Sequence, residues 1–278
     1  MSRPRSFARP RSATGAGALA RVASLVLVAC SWARASQSQE FSAPEPPWTE
    51  SGPALLERGL PMRAAGASFA ALATRWLGLP ELVTASVAAG GSWRAVRFAA
   101  GASHTGEGEI AWSAWALAAG WAGPRAGAGL RACVRDQPVS RDTPPARGVE
   151  VGAGAWAVAA PGTRVWASAP QLWQEGEAPP LSRPLEIGVS ARVLDLDVWL
   201  VRAASPGGAR GLRGEHAAGL AARSGPLALW AEIRDRPPRG GVGLEVRVRA
   251  LRISFSVEDH PLLGETARWG VATAGRAP

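Results

Sequence analysis

Three histidines and two cysteines are all that the chain offers for imidazole or thiolate chemistry, and their placement suits neither metal binding nor catalysis. His104, His216 and His260 lie far apart, so no zinc-like ligand spacing exists, and each reads as a loop or turn residue. Cys133, in Arg131-Ala-Cys-Val-Arg135, has no base nearby in sequence to activate it and reads as a small strand residue. Glu258-Asp259-His260 sets acids beside an imidazole, but Pro261 follows directly and a turn accounts for the cluster. Neither a Gly-x-Ser-x-Gly elbow nor a phosphate loop ahead of a helix occurs. The expectation is a non-enzyme with no cofactor and no metal.

What remains is charge at strand spacing. Glu186, Ser190 and Arg192 fall on one face of a short segment, as do Asp195 and Asp197, then Glu245, Arg247 and Arg249, then Arg252 and Glu258. Such faces cannot enter hydrocarbon. In a closed barrel they would line the lumen, where opposite charges on adjacent strands can pair; Asp195 with Asp197 could serve an ion in the lumen, but paired carboxylates at strand spacing are more often simply a wet face.

The elements that must position these residues are short strands. In Leu185-Glu-Ile-Gly-Val-Ser-Ala-Arg-Val193 every second residue is apolar, and the same alternation runs through Leu244 to Arg249 and Leu251 to Glu258. Between such segments lie turn formers: Gly90-Gly-Ser92, Gly123-Pro124, Pro161-Gly162, Gly225-Pro226 and Arg239-Gly-Gly241. From Ser68 onward about fourteen segments fit, with a range of about 12 to 14. Ile110 to Gly123 is apolar on both faces, but its glycines weaken a helix and it is expected to be a strand. Pro170 to Pro184 and Gln137 to Arg147 are the long Pro-containing connections.

The N-terminus has the anatomy of an export signal. Arg3, Arg5, Arg9, Arg11 and Arg21 precede an apolar run from Val22 to Cys30, and Ala33-Arg34-Ala35 forms a small-x-small site with cleavage expected between Ala35 and Ser36. Leu27-Val-Ala-Cys30 also resembles a lipobox, which leaves lipidation at Cys30 as the other outcome. The formal charge of +9 shrinks once Met1 to Ala35 is set aside, because that stretch holds six arginines and no acid. With lysine and asparagine absent from the chain, the arginine excess fits a GC-rich genome better than a nucleic-acid surface. Three parts are expected: a signal peptide over 1–35, a Pro-rich periplasmic tail over 36–61 and a barrel domain over 62–278.

Taken together these features predict an all-β, antiparallel, up-and-down transmembrane β-barrel in the outer membrane of a Gram-negative bacterium. Its expected partners are outer-membrane lipid and the barrel-assembly machinery, with no nucleic acid. The alternative is a secreted or lipid-anchored soluble β-rich binding protein, in which the apolar faces would pack inward as a sandwich.

Three stretches also resemble a known family: Arg75-Trp-Leu-Gly-Leu-Pro-Glu-Leu82, Val96-Arg-Phe-Ala-Ala-Gly-Ala-Ser103, and above all the segment from Leu251 to Val271. They look like PorV/FadL-type outer-membrane barrels, whose closing hairpin reads strand, His-Pro-x-Leu-Gly-x-Thr-x-Arg, strand. His260, Pro261, Leu263, Gly264, Thr266 and Arg268 fall on that pattern. The Asn-Pro-Ala-Gly stretch that the family places before its first strands has no counterpart, so the resemblance is to a reduced member. It implies fourteen strands and a role as a channel, a hydrophobic-solute conduit or a secretion accessory, with secretion-system components as further partners.

Overall fold

A single sheet curls until its first and last strands meet. The computed structural model describes residues 52–61, 67–107, 111–138, 144–177, 185–193, 196–204, 214–235, 238–260 and 264–273. A short helix, α1 (Gly52–Arg58), precedes β1 (Ser68–Arg75), β2 (Val83–Trp93), β3 (Val96–Thr105), β4 (Trp112–Ala122), β5 (Ala126–Gln137), β6 (Ala146–Ala160) and β7 (Thr163–Gly176). Then come β8 (Leu185–Val193), β9 (Leu196–Ala204), β10 (Gly214–Ser224), β11 (Leu227–Asp235), β12 (Pro238–Val248), β13 (Leu251–His260) and β14 (Gly264–Thr273). Each strand pairs with its sequence neighbours, and β1 pairs antiparallel with β14 from Ala70↔Ala272 to Arg75↔Ala267, which closes a fourteen-stranded barrel. Closure leaves no edge strand to template aggregation.

The period-two pattern sorts two solvents. Outward faces carry Ile187, Leu200, Leu229, Ile233, Val242 and Phe255, all exposed, and with many others they form an apolar belt. Inward faces carry charge, hydroxyls, glycine and tryptophan. An apolar exterior around a polar interior is the reverse of a soluble sandwich and is the architecture of a transmembrane barrel. Val189 faces outward between Val165 and Leu200. Val189→Arg is therefore expected to cost ~2–4 kcal/mol at mid-membrane, read as loss of the heat-modifiable folded band. An unchanged band would reject this facing.

The barrel has two unlike ends. At one end β2/β3, β4/β5, β6/β7, β10/β11 and β12/β13 are joined by two or three residues, and β1 begins and β14 ends there. The other end holds the longer connections of β1/β2, β3/β4, β5/β6, β7/β8 and β9/β10 together with the short ones of β11/β12 and β13/β14. Ile110 to Gly123 contributes β4, a strand as expected.

Three expectations need correction. Pro170 lies inside a strand, because β7 runs through to Gly176. The strand tolerates it for two reasons. Pairing with β8 ends at Ser168, and on the other side the β6 register shifts between Val151 and Ala153, so the missing N–H interrupts no regular ladder. Arg249 is not on a lumen face: it occupies the left-handed region at φ 54° in the two-residue turn between Val248 and Leu251. The expected periplasmic tail stops short of Pro61, since 52–61 lie within the barrel. Ala35, Ser36, Cys30, Asp195 and Pro261 fall outside the described residues.

Candidate functional site: the barrel lumen

The lumen is built from two contrasting halves. Along β1 to β7 it is filled by residues 52–61. Leu55, Leu56 and Leu60 are buried, with Leu55 and Leu56 packed among Ala88, Ala99, Ala114, Ala116, Ala118 and Cys133. Cys133 is thus a small buried inward residue packed against the segment, with no disulfide. The segment is too short to hold a helix unaided, so the wall must supply its contacts.

The wall makes room by omitting side chains. Gly120, Gly129 and Gly154 stand side by side across β4, β5 and β6, paired Gly120↔Gly129 and Gly129↔Gly154. A methyl on Gly120 would collide with Pro61, on Gly129 with the Gly59 carbonyl, and on Gly154 with the Arg58 carbonyl. These three positions form a shallow bay into which the chain after α1 is pressed. Gly59 itself adopts φ +65°, which lets the backbone turn there without strain.

Side chains of the wall then hold the segment by its backbone and by charge. Arg131 Nε donates to the Leu56 carbonyl at 2.6 Å, Ser168 Oγ to the Arg58 carbonyl at 2.8 Å and Trp156 Nε1 to the Pro61 carbonyl at 2.9 Å. Arg58 reaches β8, where its Nε lies 3.0 Å from Glu186 Oε2, and its guanidinium lies over the Trp166 ring. Glu150, between Arg131 and Arg135, completes a buried charge cluster on β5 and β6.

The opposite half of the lumen is an alternating ladder of charge. Trp199 Nε1 donates to Glu232, which pairs with Arg234 at 2.7 Å; Arg234 meets Glu215 at 2.9 Å, and Glu215 meets Arg239 at 2.7 Å. Glu258 then sits between Arg239 at 3.1 Å and Arg268 at 3.2 Å. The sequence of contacts crosses from β9 to β14. Partial desolvation strengthens each pair and the neighbouring opposite charge offsets the cost, so the ladder is self-supporting only as a set.

Between the ladder and the short-turn end lies an aromatic layer. Trp166, Trp199 and Trp230 each lie over the glycine paired with it on the next strand, Gly188, Gly219 and Gly243, and Trp156 does the same over Gly127. Leu60 of the inner segment packs into this layer. Indole rings can lie flat on the wall only where the neighbour has no Cβ, which accounts for the glycines.

Each residue singled out in the sequence has a definite position. Glu186, Ser190, Asp197, Glu245, Arg252 and Arg268 are buried on the lumen side, Glu258 is half-buried, and Arg192 and Arg247 point toward the short-turn mouth. Ser190 is packed opposite Trp199 rather than bathed in water, so it is not the open lumen position that its alternation implies. Asp197 and Arg192 pair at 2.9 Å, and Glu245 and Arg247 at 2.9 Å. In the closing hairpin His260 pairs with Gly264, which has φ +87°. Thr266 accepts from the Leu77 N–H at 3.3 Å, and Arg268 lies over the Trp76 ring. The motif thus ties the hairpin to the β1/β2 connection. Contrary to expectation, His104 and His216 sit on strands; their Nδ1 atoms lie 2.9 Å from Ser113 and 2.8 Å from Asp235.

Among the described residues no group of three or more His, Cys, Asp or Glu side chains is placed to hold a metal. The inner segment, the glycine bay and the aromatic layer are the parts that the sequence did not announce. Three glycines and four tryptophans at these positions were the available signal, visible only once strand register is known.

No family model matches the chain, and no curated protein matches it. Among solved structures it is similar to mutants of the porin of Rhodopseudomonas blastica. One is 11% identical, covering 74% of this chain and 98% of that chain with a TM-score of 0.41. A second is 12% identical at the same coverage with a TM-score of 0.40. It is also similar to the outer membrane protein Omp33 of Acinetobacter baumannii, at 6% identity, covering 76% of this chain and 98% of that chain with a TM-score of 0.48. These are likenesses of barrel architecture only.

Proposed function

We propose that the protein is an outer-membrane pore for small polar solutes, its bore narrowed by the chain's own residues 52–61. The observation that carries this reading is the charged ladder from Glu232 to Arg268 on the half of the wall that α1 leaves uncovered. Charge retained along a membrane-crossing wall favours water and ions inside it. Export, assembly by the barrel machinery and residence in the outer membrane belong to the same proposal, supported by the N-terminal signal pattern and the apolar belt.

The aromatic layer favours a second reading, a conduit for apolar solutes of the kind that the PorV/FadL resemblance implies. The two separate in planar bilayers. A polar pore gives stepwise ion currents from the purified full-length chain, and a hydrophobic conduit gives none while quenching of Trp fluorescence reports an apolar passenger. Ion-tight bilayers with bound apolar probe would reverse the preference stated here.

A further inference from the structure

Arginines gather at the short-turn mouth. Six arginines project inward there: Arg97 on β3, Arg164 on β7, Arg192 on β8, Arg223 on β10, Arg247 on β12 and Arg252 on β13. Among the described residues only Asp197 and Glu245 oppose them on that inner rim. Both carboxylates are shared. Asp197 lies 2.9 Å from Arg192 and 3.8 Å from Arg223, and Glu245 lies 2.9 Å from Arg247 and 3.6 Å from Arg252. A carboxylate between two guanidiniums leaves one positive charge over. Arg97, held by the carbonyls of Arg94 and Val96, adds another, and Arg164 on the same rim stacks over Trp156.

Deeper in the lumen Glu215, Glu232 and Glu258 alternate with Arg234, Arg239 and Arg268, which balances that stretch. The mouth groups also reach water, since the Arg192, Arg247 and Arg223 side chains are 62%, 44% and 34% exposed. Like charges gathered at a low-dielectric opening focus the field, and screening acts only beyond ~8 Å at physiological salt. Guanidinium forks match the oxygens of phosphates, sulfonates and carboxylates.

From this arrangement we infer that the short-turn mouth is an anion-binding vestibule that makes the pore anion-selective. The selectivity rests on the pore reading above, whereas the binding does not. The test uses full-length protein in neutral detergent with pyranine, a trisulfonated dye, followed by fluorescence anisotropy. Binding is expected to be saturable and salt-sensitive. It is expected to weaken about tenfold, or ~1.4 kcal/mol, when Arg192→Ala and Arg247→Ala are combined. The paired Arg192→Lys and Arg247→Lys changes should retain most of it, which separates charge from folding. Arg202→Ala, on the outer face near the other rim, should change nothing. In a KCl gradient across a planar bilayer, the reversal potential should report chloride preference and relax toward zero in the double alanine variant. Absent pyranine binding, equal binding in the double variant, or a conducting pore that prefers potassium would each overturn the vestibule. Dye binding at this mouth without any current would uphold it and overturn the pore.

Discussion

A chain lacking residues 52–61 is expected to give single-channel currents several-fold larger than the full-length protein, because that segment occupies the half of the lumen bounded by β1 to β7. Its side chains are not draped at the opening. Leu55, Leu56 and Leu60 are buried against the inner wall, and the backbone between Arg58 and Pro61 is seated in the bay of Gly120, Gly129 and Gly154. Burying each leucine contributes ~1.5–3 kcal/mol, so the seated state far outweighs a released one and the full-length bore stays narrow. Deletion exposes Arg131 and Glu186 to a water-filled lumen, where both are easily solvated. The β1/β14 closure does not involve the segment, so the barrel should still form, without the stability that the leucines contribute. The same opening should follow without deletion when Gly129→Val and Gly154→Val fill the bay, since added methyls collide with the Gly59 and Arg58 carbonyls. Equal conductance in full-length, deleted and bay-filled proteins would show that the segment does not limit the pore.

The barrel itself was legible because one sheet layer separates two solvents. Lipid on one side and water on the other impose opposite demands on successive residues, so Leu185 to Val193 displays its facing without any knowledge of partners. The turns were legible for a similar reason, since Pro161-Gly162 and Gly225-Pro226 punctuate whatever the strands pair with. The inner segment was not. Gly52–Arg58 is seven residues long and follows the Pro-rich run Ala43 to Trp48, so its helical period is too brief to stand out from a tail. Gly120 counted only as a residue that weakens a helix until register set it beside Gly129 and Gly154. Trp156 and Trp199 fall mid-strand, and inward facing with a glycine partner across the ladder accounts for both. Pro170 concealed the second half of β7, where tolerance depends on a bulge in the neighbouring strand. Each of these is a relation between strands, which local sequence does not record.

Glu186→Ala is expected to destabilise the protein by ~3–5 kcal/mol, the cost of stranding a buried charge. Arg58 Nε lies 3.0 Å from Glu186, and both side chains are only 6% exposed. Among the described residues, removing the carboxylate leaves the guanidinium over the aromatic face of Trp166. An exposed pair supplies the contrast. Arg147 and Asp136 meet at 2.7 Å, but the Arg147 side chain is 66% exposed, so Asp136→Ala should cost less than ~1 kcal/mol. If desolvation is the cause, Arg58→Met in the Glu186→Ala background should recover part of the loss, because a neutral side chain of similar length needs no partner there. Urea unfolding of the four proteins in lipid vesicles measures the comparison. A Glu186→Ala cost no larger than that of Asp136→Ala would mean that Arg58 escapes to water. The seat of the inner segment would then depend on the glycine bay and the leucines, not on this pair.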